Sequence, residues 1–242
     1  LPLPYGLYRL IWGGLDLLFP PVCAGCNRPG ALWCEDCHRT IMPIPHPYCE
    51  VCGLPQEKAG LCPNCRSHRP PYRELRSWVV FEGSIRSVLH RLKYRRNIAL
   101  GQAIARPLTG YALATGWQVD LVVPIPLGER RWRERGYNQV ALVAQPLASM
   151  AKWKFAPEAL RRARETRSQV GLTAVERQEN MSDAFKARRD RVEGRSILLV
   201  DDVATTGSTL ASGASALLVA GASCVYALTI ARALPRHGLH VV

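Results

Sequence analysis

The chain has 242 residues, of which 48% are hydrophobic and 21% charged, values of a folded globular protein rather than a disordered one. No uncharged apolar run approaches the roughly 18 residues that a membrane helix needs, so a membrane span is excluded; the serial cysteine pairs near the start of the chain make a reducing cytoplasm the expected location. Lys and Arg total 32 against 19 Asp and Glu, a formal charge of +13, which points to anionic partners such as nucleic acid or a phosphorylated small molecule.

The first segment, Leu1 to Phe19, is apolar but carries Asp16 and is broken by Pro2 and Pro4. It lacks the basic start and small-residue cleavage site of a secretion signal, and reads as a short amphipathic helix. Four Cys-x-x-Cys pairs follow within the first 65 residues: Cys23/Cys26, Cys34/Cys37, Cys49/Cys52 and Cys62/Cys65. Serial pairs of this kind suit tetrahedral Zn²⁺, because two thiolates three residues apart chelate one ion. Sequential pairing leaves 7 and 9 residues between the two knuckles of each site, and an 11-residue gap separates the sites. Those short spacers favour two sequential four-cysteine sites over an interleaved arrangement, both closed and structural. The ninth cysteine, Cys224, reads as a small apolar residue.

Charge changes near residue 70: residues 1–70 carry 6 basic and 5 acidic side chains, and residues 71–242 carry 26 and 14. With the proline-rich stretch from His68 to Tyr72 as a stiff linker, this divides the chain into a zinc module (1–70) and a larger, strongly basic domain (71–242).

In the larger domain Ser77 to Phe81 reads as a strand. Ile85, Val88, Leu89 and Leu92 have helical spacing. A helix is expected from Ile98 to Leu113, kinked or split at Pro107. Asp120 to Pro126 reads as a buried strand ended by prolines, and Val140, Val143, Ala144 and Leu147 as a helix face. The Arg-rich residues 158–190 show no clear period. Ile197 to Val200 is a continuous apolar strand, Leu210 to Leu218 a helix ending at Gly221, and Ser223 to Ala231 a last strand. Alternating strands and helices, with strands apolar on both faces, define an α/β class: a parallel sheet flanked by helices behind a small zinc-bearing module.

The richest stretch is Ile197-Leu-Leu-Val-Asp201-Asp202-Val-Ala204-Thr205-Thr206-Gly207-Ser208-Thr209. An apolar strand ends in two carboxylates, and a hydroxyl-rich loop opens a helix. Backbone N–H groups at a helix start hold anions, and Gly207 permits close approach. The run resembles the 5-phosphoribosyl-1-pyrophosphate (PRPP) signature of type I phosphoribosyltransferases. That resemblance implies that Asp201 and Asp202 hold the ribose hydroxyls and act in catalysis. It also implies that Ala204, Thr205, Thr206, Gly207, Ser208 and Thr209 cradle the 5-phosphate.

Leu92-Lys93-Tyr94, Val123-Pro124-Ile125-Pro126, Arg135-Gly136-Tyr137-Asn138-Gln139, Arg177-x-x-Asn180 and Ala184-Phe185 flank the signature. With the cysteine knuckles they resemble the ComF/GntX family of competence-associated and DNA-utilisation proteins, from about Leu15 to Arg232. The resemblance implies a double zinc ribbon joined to a phosphoribosyltransferase-like domain, Mg²⁺ acting with PRPP, and a role in the uptake or use of DNA. Pro124, Ile125, Pro126, Arg135 and Lys93 would then meet pyrophosphate, with Arg130, Arg131 and Arg133 close by. A mobile hood over residues 161–195 would include Thr166, Gln169 and Arg177.

Two functions stay open on these grounds. One is transfer of the phosphoribosyl group to an acceptor. The other is an accessory protein that binds single-stranded DNA, through arginines such as Arg161 and Arg162, or docks a cytoplasmic DNA-translocation or processing partner, with the PRPP site as sensor or relic.

Overall fold

A computed structural model describes residues 21–163 and 184–234. The expected N-terminal helix lies outside the described residues, as do Thr166, Gln169, Arg177 and Asn180. Two short helices, α1 (Glu35–Arg39) and α2 (Pro63–Ser67), each carry the last cysteine of a four-cysteine group. The larger part runs β1 (Glu74–Val80), α3 (Gly83–Tyr94), α4 (Leu100–Ala114), β2 (Leu121–Pro124), α5 (Glu129–Arg135), α6 (Gln139–Ala151), β3 (Lys154–Phe155), β4 (Leu160–Arg162), β5 (Phe185–Ala187), α7 (Arg189–Val192), β6 (Ser196–Ala204), α8 (Ser208–Val219) and β7 (Cys224–Arg232).

Five strands form one parallel sheet in the order β1-β7-β6-β2-β3, and β4 pairs with β5 in a separate antiparallel ladder. Successive residues of a strand face opposite sides, and β6 shows the consequence. Ile197 and Leu199 join α8, β4 and β5 in one buried cluster, while Leu198 and Val200 join α3, α4 and α6 in the other. The result is the expected helix-flanked parallel sheet, with both faces covered.

Two elements differ from expectation. Helix α4 continues through Pro107 instead of splitting there. The ring removes one backbone donor, but Ile104, Ala105 and Leu108 beside it are completely buried, and that packing holds the helix together. Strand β6 does not end at the acids but extends to Ala204, because β7 supplies partners beyond them: Asp201 opposite Thr229, Val203 opposite Ala231 and Ala204 opposite Arg232.

The cysteine-bearing residues cover the open edge of β1. The Leu75 N–H donates to the Val51 carbonyl at 2.7 Å, and the Val80 N–H to the Met42 carbonyl at 2.8 Å. Arg76 donates to the Glu50 carbonyl at 2.9 Å. An edge strand otherwise offers unpaired backbone groups for aggregation, and here they are taken up. The expected linker is part of this junction, since Tyr72 is only 3% exposed and the Arg73 N–H bonds to the Val225 carbonyl. The first cysteine group lies on the α3 side of the sheet. The second joins the α8 side, in one core with Tyr72, Leu75, Ala204 and Leu210.

Candidate functional site

The eight cysteines gather as Cys23, Cys26, Cys34, Cys37 and as Cys49, Cys52, Cys62, Cys65, with ligand atoms in each group within 4.8 Å of one another. This is the sequential pairing. A tetrahedral Zn²⁺ with Zn–S of about 2.3 Å requires sulfurs roughly 3.8 Å apart. The Cys26–Cys34 and Cys52–Cys62 sulfurs are both 3.7 Å apart, the spacing that a tetrahedral zinc requires. Backbone N–H groups also point at sulfur, from Gly25 and Cys34 to Cys23 and from Cys62 to Cys49, at 3.3 to 3.4 Å. Such donors favour the thiolate that binds metal.

The two groups differ in access: Cys26 is exposed and Cys34 half-buried, whereas all four cysteines of the second group are buried. A colorimetric chelator is therefore expected to remove zinc in two phases, one equivalent at least about tenfold faster than the other. Cysteine-to-serine substitution at Cys26 should accelerate only the fast phase. Equal release of both equivalents would contradict this ranking.

The second constellation sits at the carboxyl edge of the sheet, where β6 and β2 end side by side. Asp202 is 8% exposed, and both of its oxygens are engaged. Lys93 at the end of α3 lies 3.0 Å from Oδ1, and Gln139 in the first turn of α6 donates to Oδ2 at 2.7 Å. Gln139 in turn accepts from Arg135 at 2.7 Å, which fixes its amide with the nitrogen toward Asp202. Arg135 lies over the Tyr94 ring, 5.0 Å from its centre, and its Nε is buried with no partner. Tyr137 donates its hydroxyl to the Leu92 carbonyl at 2.5 Å. The two sequence motifs around Lys93 and around Arg135 are thus interlocked and converge on the same carboxylate.

Asp201 accepts the N–H of Asp202 at 2.8 Å. Desolvation, and then the negative charge of Asp202, push its carboxyl up to about 7, while Lys93 and Arg131 act in the opposite direction. Two adjacent acids at a strand end cannot both ionise cheaply until a cation or a polar ligand arrives. Next along the chain, Gly207 adopts φ 80° and opens α8 without a side-chain cap. Thr206 and Ser208 hydroxyls are 2.6 Å apart, and the Ser208 N–H points at Thr206. Thr205, Thr206 and Thr209 are exposed. An uncapped helix start with exposed hydroxyls offers its N–H groups to an anion.

The turn after β2 is pinned from two sides: the Ile125 N–H donates to the Val200 carbonyl at 2.8 Å, and the Asn138 amide donates to the Ile125 carbonyl at 2.9 Å. The same Asn138 caps α6 by accepting from the Val140 N–H. Pro124, Ile125 and Pro126 thus stand beside the acid pair. Lys93 reaches the acid pair itself through Asp202. Arg130 and Arg133 are exposed and pair within α5 with Glu134 and Glu129. Arg161 and Arg162 lie on β4, Arg162 against the Phe185 ring. Gln139 lies within the Arg135–Gln139 motif, but no local pattern assigns it a role, because it joins residues from separate elements, Asp202 on β6 and Arg135 on α5.

A helix-flanked parallel sheet with this acid pair and loop at its carboxyl edge, joined to a double zinc ribbon, defines a phosphoribosyltransferase-like protein. The double zinc ribbon domain family matches residues 14–66. The DNA utilization protein YhgH of Escherichia coli K12 is 35% identical over 228 residues, covering 90% of this chain and 100% of that protein. Competence protein F of Haemophilus influenzae is 30% identical over 190 residues, 73% of this chain and 80% of that one. The chain belongs to the ComF/GntX family that these proteins represent. Among solved structures, a B. subtilis glutamine PRPP amidotransferase complexed with ADP and GMP is similar at TM-score 0.40 and 19% identity, over 54% of this chain and 26% of that one. Among the described residues no helix is long and apolar enough to cross a membrane.

Proposed function

We propose that the protein binds PRPP with Mg²⁺ in the cytoplasm and serves DNA uptake or utilisation, transferring the phosphoribosyl group to an acceptor with release of pyrophosphate. The observation that carries this reading is the convergence at one sheet edge of Asp201, Asp202 and the Gly207 loop. Asp201 and Asp202 would hold the ribose hydroxyls, and residues 204–209 the 5-phosphate. The Pro124-Ile125-Pro126 turn and the half-buried Arg135 guanidinium would face the pyrophosphate. In the transfer the acceptor forms a bond to the ribose C1 while the C1–O bond breaks, and pyrophosphate leaves with the electron pair. Mg²⁺ bound with PRPP would neutralise part of the departing charge. Lys93 and Gln139 orient Asp202, and Arg135 offers the leaving group a fixed guanidinium.

The test is calorimetric titration of PRPP with Mg²⁺ into the zinc-loaded protein. Saturable binding is expected, lost in the Asp201→Asn/Asp202→Asn double variant. The sign of the pH effect follows from Asp201. Its folded-state carboxyl titrates near 7, above the ordinary value, so the carboxylate that the ligand needs is present above pH 7 and protonated below it. PRPP affinity should therefore rise about tenfold from pH 6 to pH 8, and Asp201→Asn should flatten that rise. By the same linkage the ionised Asp201 costs stability above pH 7, a cost that disappears as pH falls toward the unfolded-state value. Asp201→Asn should then melt higher than the wild type at pH 8.

A second reading, as a single-stranded-DNA accessory protein, is favoured by one feature. An open groove of about 820 Å³ between the first cysteine group and α3 is lined by Arg86, His90, Arg91, Lys93, Arg95 and Tyr94 and, among the described residues, by no carboxylate. Basic side chains beside an exposed aromatic ring suit a single strand. Absence of PRPP binding in the wild type would leave this groove and the ribbon as the working surface.

A further inference from the structure

Arg232 ends β7 and is 2% exposed, the one fully buried basic side chain among the described residues. No carboxylate among those residues lies within ion-pair distance of it. One Nη donates to the Cys52 carbonyl at 2.6 Å, and Nε is buried without a partner. A guanidinium held out of water needs a countercharge, and the usual acidic partner is missing. The residue it touches, however, is a ligand of the second cysteine group, and Zn²⁺ held by four thiolates carries a net charge of −2.

The same arginine is tied to the other constellation through its backbone. Arg232 pairs in register with Ala204, and the Ala233 N–H donates to the Ala204 carbonyl at 2.9 Å, so the strand end sets where the 204–209 loop begins. Beside it, Tyr72 places its hydroxyl 3.2 Å from where a Cβ on Gly207 would lie. Ribbon, Tyr72, Arg232 and loop therefore form one continuous contact on the α8 side of the sheet. The first cysteine group lies on the opposite side and takes no part.

We propose that Arg232 is the counter-ion of the second zinc centre and, through it, a positioning residue for the 5-phosphate loop. The second clause rests on the PRPP reading above; the first does not. The second zinc thus orders the site from behind without touching the ligand, and the first zinc is dispensable for it.

The experiment compares full-length wild type with Arg232→Met, which keeps the stem and removes the charge, and Arg232→Lys, which restores it. Two readouts are needed: metal loss from the cadmium-substituted protein, whose two four-thiolate sites give separate NMR signals, and PRPP·Mg²⁺ titration. Arg232→Met should lose metal from the second site at least tenfold faster, leave the first site at its wild-type rate, and weaken PRPP tenfold or more. Arg232→Lys should recover most of both effects, which a purely steric role would not allow. Wild-type metal retention in Arg232→Met would overturn the counter-ion assignment. If the second metal is lost but PRPP affinity holds, the positioning role is overturned. Should Arg232→Met fail to fold, hydrogen exchange of amides 204–209 in the wild type decides: it should rise when the second metal is removed and not when the first is. A wild type that does not bind PRPP ends the functional reading, while metal release still decides the first clause.

Discussion

Gly53→Ala should lower the stability of the protein by about 3 kcal/mol and release the second zinc early in denaturant. Gly53 follows Cys52 at φ 66°, a left-handed conformation that costs an ordinary residue roughly 1–2 kcal/mol. An added Cβ would also stand 2.6 Å from the Leu75 carbonyl oxygen, closer than such contacts allow. Relieving it moves β1 or the knuckle, an overpacking cost of about 1–3 kcal/mol. The Leu75 N–H is the group that bonds Val51, so the displacement falls on the hydrogen bond that fastens ribbon to sheet. Denaturant unfolding followed by circular dichroism, with zinc release recorded in parallel, measures both effects. Gly53→Asn separates the causes: asparagine tolerates the left-handed backbone but carries the same Cβ. An equal loss in both variants assigns the effect to the Leu75 contact, and no loss in either would mean that the junction is not as tight as described.

Gln139→Leu is expected to weaken PRPP binding by roughly 10- to 100-fold. The amide makes one hydrogen bond to the Asp202 carboxylate and one from the Arg135 guanidinium, and hydrogen bonds to charged groups contribute about 1.5–3 kcal/mol each. Leucine fills the volume but leaves Asp202 dependent on Lys93 alone and frees Arg135 to leave its place over Tyr94. Gln139→Glu should be worse, because it sets a second carboxylate 2.7 Å from Asp202. Calorimetry on the two variants, with zinc content checked, gives the comparison. Wild-type affinity in Gln139→Leu would show that the bridge between acid and arginine has no role in the ligand site.

The features legible in the sequence were those carried by local pattern. Cysteine spacing located the eight candidate zinc ligands and favoured, without settling, the sequential pairing found in the fold, because chelation by a knuckle is a short-range property. The period of Ile85, Val88, Leu89 and Leu92 marked α3, and all four are buried. The signature from Ile197 to Thr209 placed the acids and the loop in one strand-turn-helix unit, and strand and helix are both present. What escaped was set by partners distant in the chain. The length of β6 depends on β7 continuing beside it, and the persistence of α4 through Pro107 depends on packing that a propensity does not contain. Proline-rich composition suggested a spacer at residues 68–72, yet Tyr72 is buried in the junction. Gln139 and Arg232 bond partners that lie 63 and 180 residues away along the chain, which no local pattern records.

The strand order carries a consequence for synthesis. β7 is the last of the described strands to leave the ribosome, yet it lies between β1 and β6. Until it emerges, the nascent chain holds β1 without a sheet partner and β6 with one open flank, although the cysteine knuckles have long been available to bind metal. The cysteine module can therefore mature early, while the acid pair and the loop wait for the last of the described strands. Such late, long-range closure is slow and exposes apolar edges meanwhile. A chain cut short before Cys224 would carry the cysteine ribbon beside a sheet that cannot close, a product for proteases.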